Sequence, residues 1–181
     1  MKHLLFLIIF ISLNINSEDN NHDHHHNEPK KNQKSLKAHE HGVSILNIAQ
    51  DGDALLFEFE MPGFDVVGFE YKAKKKEDIK RIRNALNILS DYKNMIVLSD
   101  VAECKQKKGS SKVINEGTHS EFLSQYLVKC KNISQLKKLK VMYFSSFKYS
   151  KNLSINIVSK NKNISHFTDR DNSTINVSGY F

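Results

Sequence analysis

Apolar and polar residues alternate through much of the chain beyond residue 42, with the two-residue period of half-buried strands. The period is cleanest at 53–61. Asp51-Gly52 separates this run from the one at 43–50 and is a strong signal for a two-residue hairpin turn. We predict strands over the following segments: Val43–Gln50, Asp53–Met61, Met95–Leu98, Glu121–Cys130, Lys140–Phe147, Leu153–Val158, Ile164–Thr168 and Thr174–Val177.

A helical period replaces this alternation at 77–93. Glu77 and Asp78 would occupy the first turn, where acidic side chains favour the helix dipole. The apolar residues of one predicted face are Ile79, Ile82, Leu86 and Leu89. We predict an α+β fold that is mainly antiparallel β-sheet, with this one amphipathic helix (about 77–93) packed on it. The polar Lys/Ser/Gly segment at 105–118 is predicted to be a loop.

The first 17 residues have the pattern of a secretory signal peptide. Lys2 and His3 precede an apolar run from Leu4 to Leu13, although Ile15-Asn16-Ser17 matches the usual cleavage pattern poorly. A transmembrane anchor is the alternative, but about ten apolar residues fall short of the roughly twenty that span a bilayer. We therefore expect an exported protein that begins near residue 18 once the signal is removed.

Polar residues fill the segment at 18–38 almost completely, so it cannot bury enough apolar surface to offset its chain entropy. We predict a disordered arm there, rich in histidine and lysine, followed by a single α+β domain over 39–181. In an oxidising compartment Cys104 and Cys130 favour a structural disulfide over a thiolate metal site. It would close a loop of roughly 25 residues.

The net charge of +7 comes from dispersed lysines, many of them at 30–37, 72–76 and 105–112. Nucleic-acid binding is one interpretation of such a balance. These runs, however, lack interleaved aromatic residues and any nucleic-acid motif, so solvated surface is the favoured interpretation. A cationic surface does not attract Zn²⁺, and a metal hypothesis must therefore rest on ligands.

Those ligands are concentrated near the N-terminus. Six of the nine histidines lie within twenty residues: His22, His24, His25, His26, His39 and His41. Imidazole is the commonest protein ligand for zinc, copper and nickel, and it binds metal only when neutral. A solubilising tail is the alternative explanation for 22–26. We favour a metal-collecting tract of modest affinity.

The predicted hairpin adds a more defined candidate site. A turn at Asp51-Gly52 places Val43 opposite Glu60, so that Glu60 becomes a diagonal neighbour of His41. His39, His41 and Glu60 would then form a three-ligand zinc set. A polar strand entry that merely contacts solvent is an equal alternative. His119 could also ligate, although a strand-end histidine bonded to backbone is favoured there, and His166 receives no role.

Several short motifs follow one another between residues 38 and 158: His39-Glu40-His41-Gly42, Phe57-Glu58-Phe59-Glu60, Gly68-Phe69-Glu70, Ala102-Glu103-Cys104, His119-Ser120-Glu121-Phe122 with Tyr126 and Cys130, and Phe144 with Phe147. Their order resembles that of the ZrgA-type periplasmic zinc-binding proteins of Gram-negative bacteria. Members commonly carry histidine where this chain has Tyr71. The family's histidine-rich inserts often fall mid-chain, where 105–117 is instead rich in lysine and contains no histidine.

The resemblance implies periplasmic zinc binding that supports zinc uptake, with a zinc ABC importer component as partner. We expect a protein that captures or buffers zinc and is not an enzyme, since neither H-E-x-x-H nor a nucleophile elbow occurs. One alternative is an exported interaction or structural module with incidental histidines. Another is a copper- or nickel-binding protein, because imidazole suits all three metals.

Overall fold

A computed structural model of the chain describes residues 42–181. This part of the chain contains nine strands: β1 Val43–Asp51, β2 Ala54–Pro62, β3 Ile96–Leu98, β4 Cys104–Glu116, β5 His119–Cys130, β6 Lys138–Val141, β7 Asn152–Val158, β8 Asn163–Asp169 and β9 Thr174–Asn176. Its α-helices are α1 Gly63–Val67, α2 Lys76–Ile88 and α3 Tyr143–Ser146.

The strands form two sheets. The larger has the order β4-β5-β2-β1-β7-β8, and the smaller has the order β3-β6-β9. All neighbours pair antiparallel except β1 and β7, which are parallel. The predicted α+β class with a mainly antiparallel sheet is therefore confirmed.

One apolar cluster joins both sheets. Strand alternation turns Leu46, Phe57 and Ile155 of the larger sheet inward, and Ile96 and Leu139 of the smaller sheet belong to the same buried cluster. The other face of the larger sheet is half-buried and carries polar residues. One end of this outer face carries the candidate site described below.

The predicted helix is confirmed but shorter than expected. α2 ends at Ile88, and a 3₁₀ turn follows at Tyr92–Asn94. Its buried side is centred on Ala85 and Leu89, whereas Ile79 is exposed. The Tyr126 hydroxyl donates to the Leu89 carbonyl at 2.6 Å, which fastens the end of the helix to β5. Burial raises the pKa of Tyr126 to about 12.

The predicted loop at 105–118 is wrong for most of its length, because residues 104–116 form β4. β4 lies at the edge of the sheet and pairs with β5 alone. Its exposed lysines and serines lack apolar alternation because an edge strand buries little of either face. The strand is defined by its pairing, which the sequence pattern does not reveal.

The predicted strand at 140–147 is also corrected. β6 ends at Val141, and residues 143–146 form the single turn of α3 with Tyr143 and Phe144 buried. A short apolar run fits a buried strand and a buried helical turn equally well, so its period does not decide between them.

The hairpin has the predicted faces but another register. Asp51 pairs with Ala54, so the turn residues are Gly52 and Asp53 instead of Asp51 and Gly52. Each partner consequently shifts by two positions: Leu46 lies opposite Phe59, and Glu60 lies opposite Ile45. A two-residue shift keeps every side chain on its face but moves Glu60 away from the place opposite Val43.

The predicted disulfide is confirmed. Cys104 and Cys130 are bonded, and they face each other across β4 and β5 with Cα atoms 3.9 Å apart. The predicted signal peptide (1–17), the arm (18–38) and the first residues of the predicted domain lie outside the described residues. Among residues 42–181, no helix combines the length and apolar character needed to cross a membrane.

Candidate metal centre

The candidate site lies at one end of the larger sheet, where several chain ends meet. β1 begins there at Val43, β2 ends at Pro62, and β5 begins at His119. Pro62 pairs with Glu121, and Glu116 pairs with His119 across the β4–β5 turn. The segment that carries six of the nine histidines therefore joins the sheet at the end that holds His119.

His119 is paired with a carboxylate. Its Nδ1 lies 2.6 Å from Glu70 Oε2, and the two side chains are 66% and 12% exposed. An ionised carboxylate only accepts hydrogen bonds, so Nδ1 carries the proton. In the neutral imidazole this leaves the lone pair of Nε2 available to a metal ion. Carboxylate-oriented histidine is a common arrangement in zinc sites.

This contact corrects the expectation that His119 is bonded to backbone. The residue that sequence reasoning missed is Glu70. It was visible in the motif Gly68-Phe69-Glu70, but it lies 49 residues from its partner in the chain. Only the placement of the segment after α1 beside the β4–β5 turn brings the two together.

A buried carboxylate fixes the start of β1. Asp65 in α1 is fully buried and accepts hydrogen bonds from the Gly42 backbone N–H at 2.8 Å and the Ser44 hydroxyl at 2.9 Å. The Tyr143 hydroxyl lies 2.7 Å from Ser44 Oγ. Burial, and secondarily the charge of Asp65, raises the pKa of Tyr143, which keeps that hydroxyl neutral.

Two glycines give this corner its shape. Gly42 has φ of +87°, a conformation that other residues rarely adopt, and it directly follows His41. A Cβ on Gly63 would lie 2.1 Å from Ser120 Oγ and 2.9 Å from the Phe69 carbonyl oxygen. α1 therefore approaches β5 as closely as it does because residue 63 has no side chain.

We expect Asp65→Asn to lower the free energy of unfolding by about 1–3 kcal/mol, because the amide nitrogen would replace one of the two oxygens that accept from the Gly42 N–H and the Ser44 hydroxyl. Urea denaturation measures the change. Asp53→Asn is the matched control, since Asp53 is half-exposed and forms a surface ion pair with Lys129 at 3.1 Å. Its loss should be below about 1 kcal/mol. Equal losses in the two variants would contradict the role given to Asp65.

Two acidic residues lie on the same outer face of the sheet as His119. Glu121 follows two residues later on β5 and is 1% exposed. Glu60 pairs with Leu123, so alternation places it on the same face of the sheet as Glu121. Within residues 42–181, however, no three His, Cys, Asp or Glu side chains are grouped closely enough to hold a metal ion. A zinc site here requires ligands from outside that range.

The structure describes only part of the predicted ligand set. His22, His24, His25, His26, His39 and His41 lie outside the described residues, and their ligand roles stay predictions. Glu60 lies on the predicted face of the sheet, but its partner on β1 is Ile45 instead of Val43. His166 lies on β8, where its ring stacks on Tyr180 at 5.8 Å between centroids.

Tyr71 occupies the position at which the sequence resemblance implies a histidine in other family members. Its hydroxyl donates to Asp78 Oδ2 at 2.9 Å, and its ring stacks on Phe69 at 4.6 Å. The hydrogen bond to Asp78 raises the pKa of Tyr71. The side chain is thereby directed to the start of α2, and the neutral phenol is a poor replacement for an imidazole ligand.

The family model for the ZrgA family zinc uptake protein matches residues 38–177. The matched range covers β1 to β9 and also includes His39 and His41. Comparison with curated proteins gives no match.

Proposed function

Because the chain belongs to the ZrgA family of zinc uptake proteins, we propose that it is a periplasmic zinc-binding protein that captures or buffers zinc and supports its uptake. In this proposal it hands zinc to a zinc ABC importer and catalyses no reaction. The single observation that carries the proposal is the His119–Glu70 pair, located where the histidine-rich segment joins the sheet.

The pair has the properties of one oriented ligand of a zinc site. His119 offers Nε2 on an exposed side chain, and Glu70 fixes the tautomer and the orientation of the ring. Zinc in proteins usually takes four ligands and His119 supplies one, so three more are needed. We assign them to His39 and His41, which precede Gly42 directly, with Glu60 as a weaker candidate. His22, His24, His25 and His26 would act as a separate collector of lower affinity.

Local charge also supports this assignment. The chain is basic overall, but Glu121 lies two residues from His119 on the same face of the sheet, and Asp65 lies beneath Gly42. Carboxylates near the ligands favour a divalent cation locally even though the whole surface is cationic. Zinc is preferred over copper or nickel on the evidence of the family. Imidazole ligands alone would bind all three metals.

The pair can be tested with Glu70→Gln, which keeps the size of the side chain and removes its charge. We expect zinc affinity to fall by roughly tenfold to a hundredfold, because a carboxylate that orients a ligating histidine typically contributes that much. Isothermal titration calorimetry with Zn²⁺ measures the change, and His119→Ala should weaken the same site at least as strongly.

Glu103→Gln is the matched control for the pair. Glu103 forms an exposed ion pair with Lys131, at 2.5 Å between Oε2 and Nζ, on another part of the molecule. Its substitution should leave zinc affinity unchanged. Unaltered affinity in Glu70→Gln and in His119→Ala would remove the pair from the proposed site.

The N-terminal histidines are tested by two further variants of the full chain. Deletion of 18–38 should lose several weakly bound zinc equivalents in the titration, because it removes four histidines, while the tightest site remains. His39→Ala combined with His41→Ala should remove the tightest site. Unchanged stoichiometry after the deletion, or an intact tight site in the double variant, would contradict the respective role. The metal content of untagged protein purified from the periplasm would identify the metal.

A further inference from the structure

The two edges of the larger sheet differ in chemistry. β4 at one edge carries Lys105, Lys107, Lys108 and Lys112 and has an irregular register between Gln106 and Lys108. Lysines and bulges are the devices by which edge strands avoid pairing with other chains. β8 at the other edge has neither device. Residues 163–168 contain no lysine, arginine or proline, and no strand among residues 42–181 pairs with the outer side of β8.

β8 also displays an aromatic side chain. Phe167 is 68% exposed, which is the largest exposed fraction among the large hydrophobic residues that the structure describes as exposed. Alternation places it on the outer face of the sheet together with Asn163 and Ser165, while Thr168 on the inner face is buried. An aromatic residue on an unprotected edge strand is a typical cross-strand contact of sheet pairing.

Charge differs between the two ends of β8. Lys160 and Lys162 precede the strand, and Asp169 and Asp171 end it. Arg170 lies between the two aspartates and offsets only one of their charges, and its guanidinium is directed inward, where it donates to the carbonyls of the 144–150 segment. The strand is therefore positive where it begins and negative where it ends.

We propose that β8 is an interface through which two copies of this chain associate by antiparallel pairing. Antiparallel pairing about a two-fold axis brings Lys160 and Lys162 of each copy to Asp169 and Asp171 of the other. Parallel pairing would oppose lysine to lysine. The pairing satisfies the edge N–H and C=O groups of both strands, covers both Phe167 rings, and extends one sheet into the other.

The proposed dimer can be tested by cross-linking, because its two-fold axis passes near the middle of β8. The native cysteines of the described region are both in the disulfide, so Ser165→Cys and, separately, Phe167→Cys each add one thiol there. In the proposed dimer each added thiol lies close to the same thiol of the other copy, so a short thiol cross-linker should give a covalent dimer. Ser110→Cys on the exposed, lysine-rich β4 is the matched control and should stay monomeric.

Sedimentation equilibrium of the full chain, with a chelator present to exclude metal-bridged association, measures the dimer directly. Phe167→Lys should raise the dimer dissociation constant by roughly tenfold or more, because both cross-strand aromatic contacts are lost. Val101→Lys makes a similar change at an exposed apolar residue away from β8 and should leave the dimer dissociation constant unchanged.

The outcomes decide the proposal in either direction. A wild-type dimer that is weakened by Phe167→Lys alone, together with cross-links at 165 and 167, supports pairing through β8. A dimer equally stable in Phe167→Lys, or cross-linking at position 110 instead, overturns β8 as the surface. A wild-type monomer up to millimolar concentration overturns the second copy as its occupant. Because zinc is absent throughout, none of these results depends on the proposed metal centre.

Discussion

Phe59→Ala is expected to lower the free energy of unfolding by about 3–5 kcal/mol, the range for removing a buried aromatic ring from a close-packed core. Phe59 is 1% exposed and lies on the central strand pair, opposite Leu46 on β1 and Ser124 on β5. Its ring packs edge-on against Tyr126 at 6.3 Å and obliquely against Tyr143 at 6.1 Å. The alanine would leave a cavity bordered by two rings whose hydroxyls are held by hydrogen bonds.

Equilibrium urea denaturation followed by circular dichroism measures this loss. Phe59→Leu should cost clearly less, because it retains most of the buried volume. Leu56→Ala on the same strand is the control for exposed apolar residues, since Leu56 is 37% exposed and should cost much less than Phe59. A Phe59→Ala variant no less stable than Leu56→Ala would place Phe59 outside the core.

Replacing both Cys104 and Cys130 by serine is expected to lower the free energy of unfolding by about 3 kcal/mol. The two residues are 26 positions apart, and in the chain-entropy model a cross-link of that span restricts the unfolded state by about this amount. The loop that it closes is the β4–β5 hairpin. The disulfide ties the base of this hairpin, and the turn at the other end leads into His119.

Chemical reduction provides the internal control for this result. Wild-type protein with reductant should show the stability of the double-serine variant, and the reductant should have no effect on that variant, because both cysteines of the chain belong to this one disulfide. Midpoints of urea denaturation in the four conditions make the comparison. A stability unaffected by reductant in the wild type would show that the cross-link contributes nothing measurable.

The sequence predicted those parts of the fold that bury one face. β2 and β5 alternate cleanly because the inner face of each strand is fully buried, and their boundaries were predicted to within two residues. β4 was missed for the converse reason, since an edge strand of lysine and serine has no buried face to generate a pattern. The parallel pairing of β1 with β7 joins segments about a hundred residues apart, and no local signal encodes it.

The hairpin register shows the limit of turn signals. Both Asp51-Gly52 and Gly52-Asp53 contain the glycine that a tight turn requires. The observed turn is Gly52-Asp53, in which Gly52 adopts a positive φ of 57°. The alternative registers differ by two residues and leave the same side chains in the core. The hydrophobic pattern therefore could not choose between them.

The candidate site was predictable as a set of residue types and unpredictable as a set of contacts. His119 was identified as a possible ligand from the sequence, but Glu70 acquires its role only through folding. Likewise, nothing in the sequence around Asp65 indicated that its carboxylate would be buried under the backbone of Gly42. Such partners are set by where α1 packs, and that is a property of the whole sheet.

The position of β1 inside the sheet has a mechanical consequence. β1 is flanked by β2 on one side and β7 on the other, and the carbonyl of Gly42 also accepts hydrogen bonds from the backbone N–H groups of Lys151 and Asn152. A pull on the N-terminal segment along this strand would load both ladders in shear, so that many hydrogen bonds must break together. Force applied to the N-terminal end of β1 would therefore leave the sheet that holds His119 undeformed.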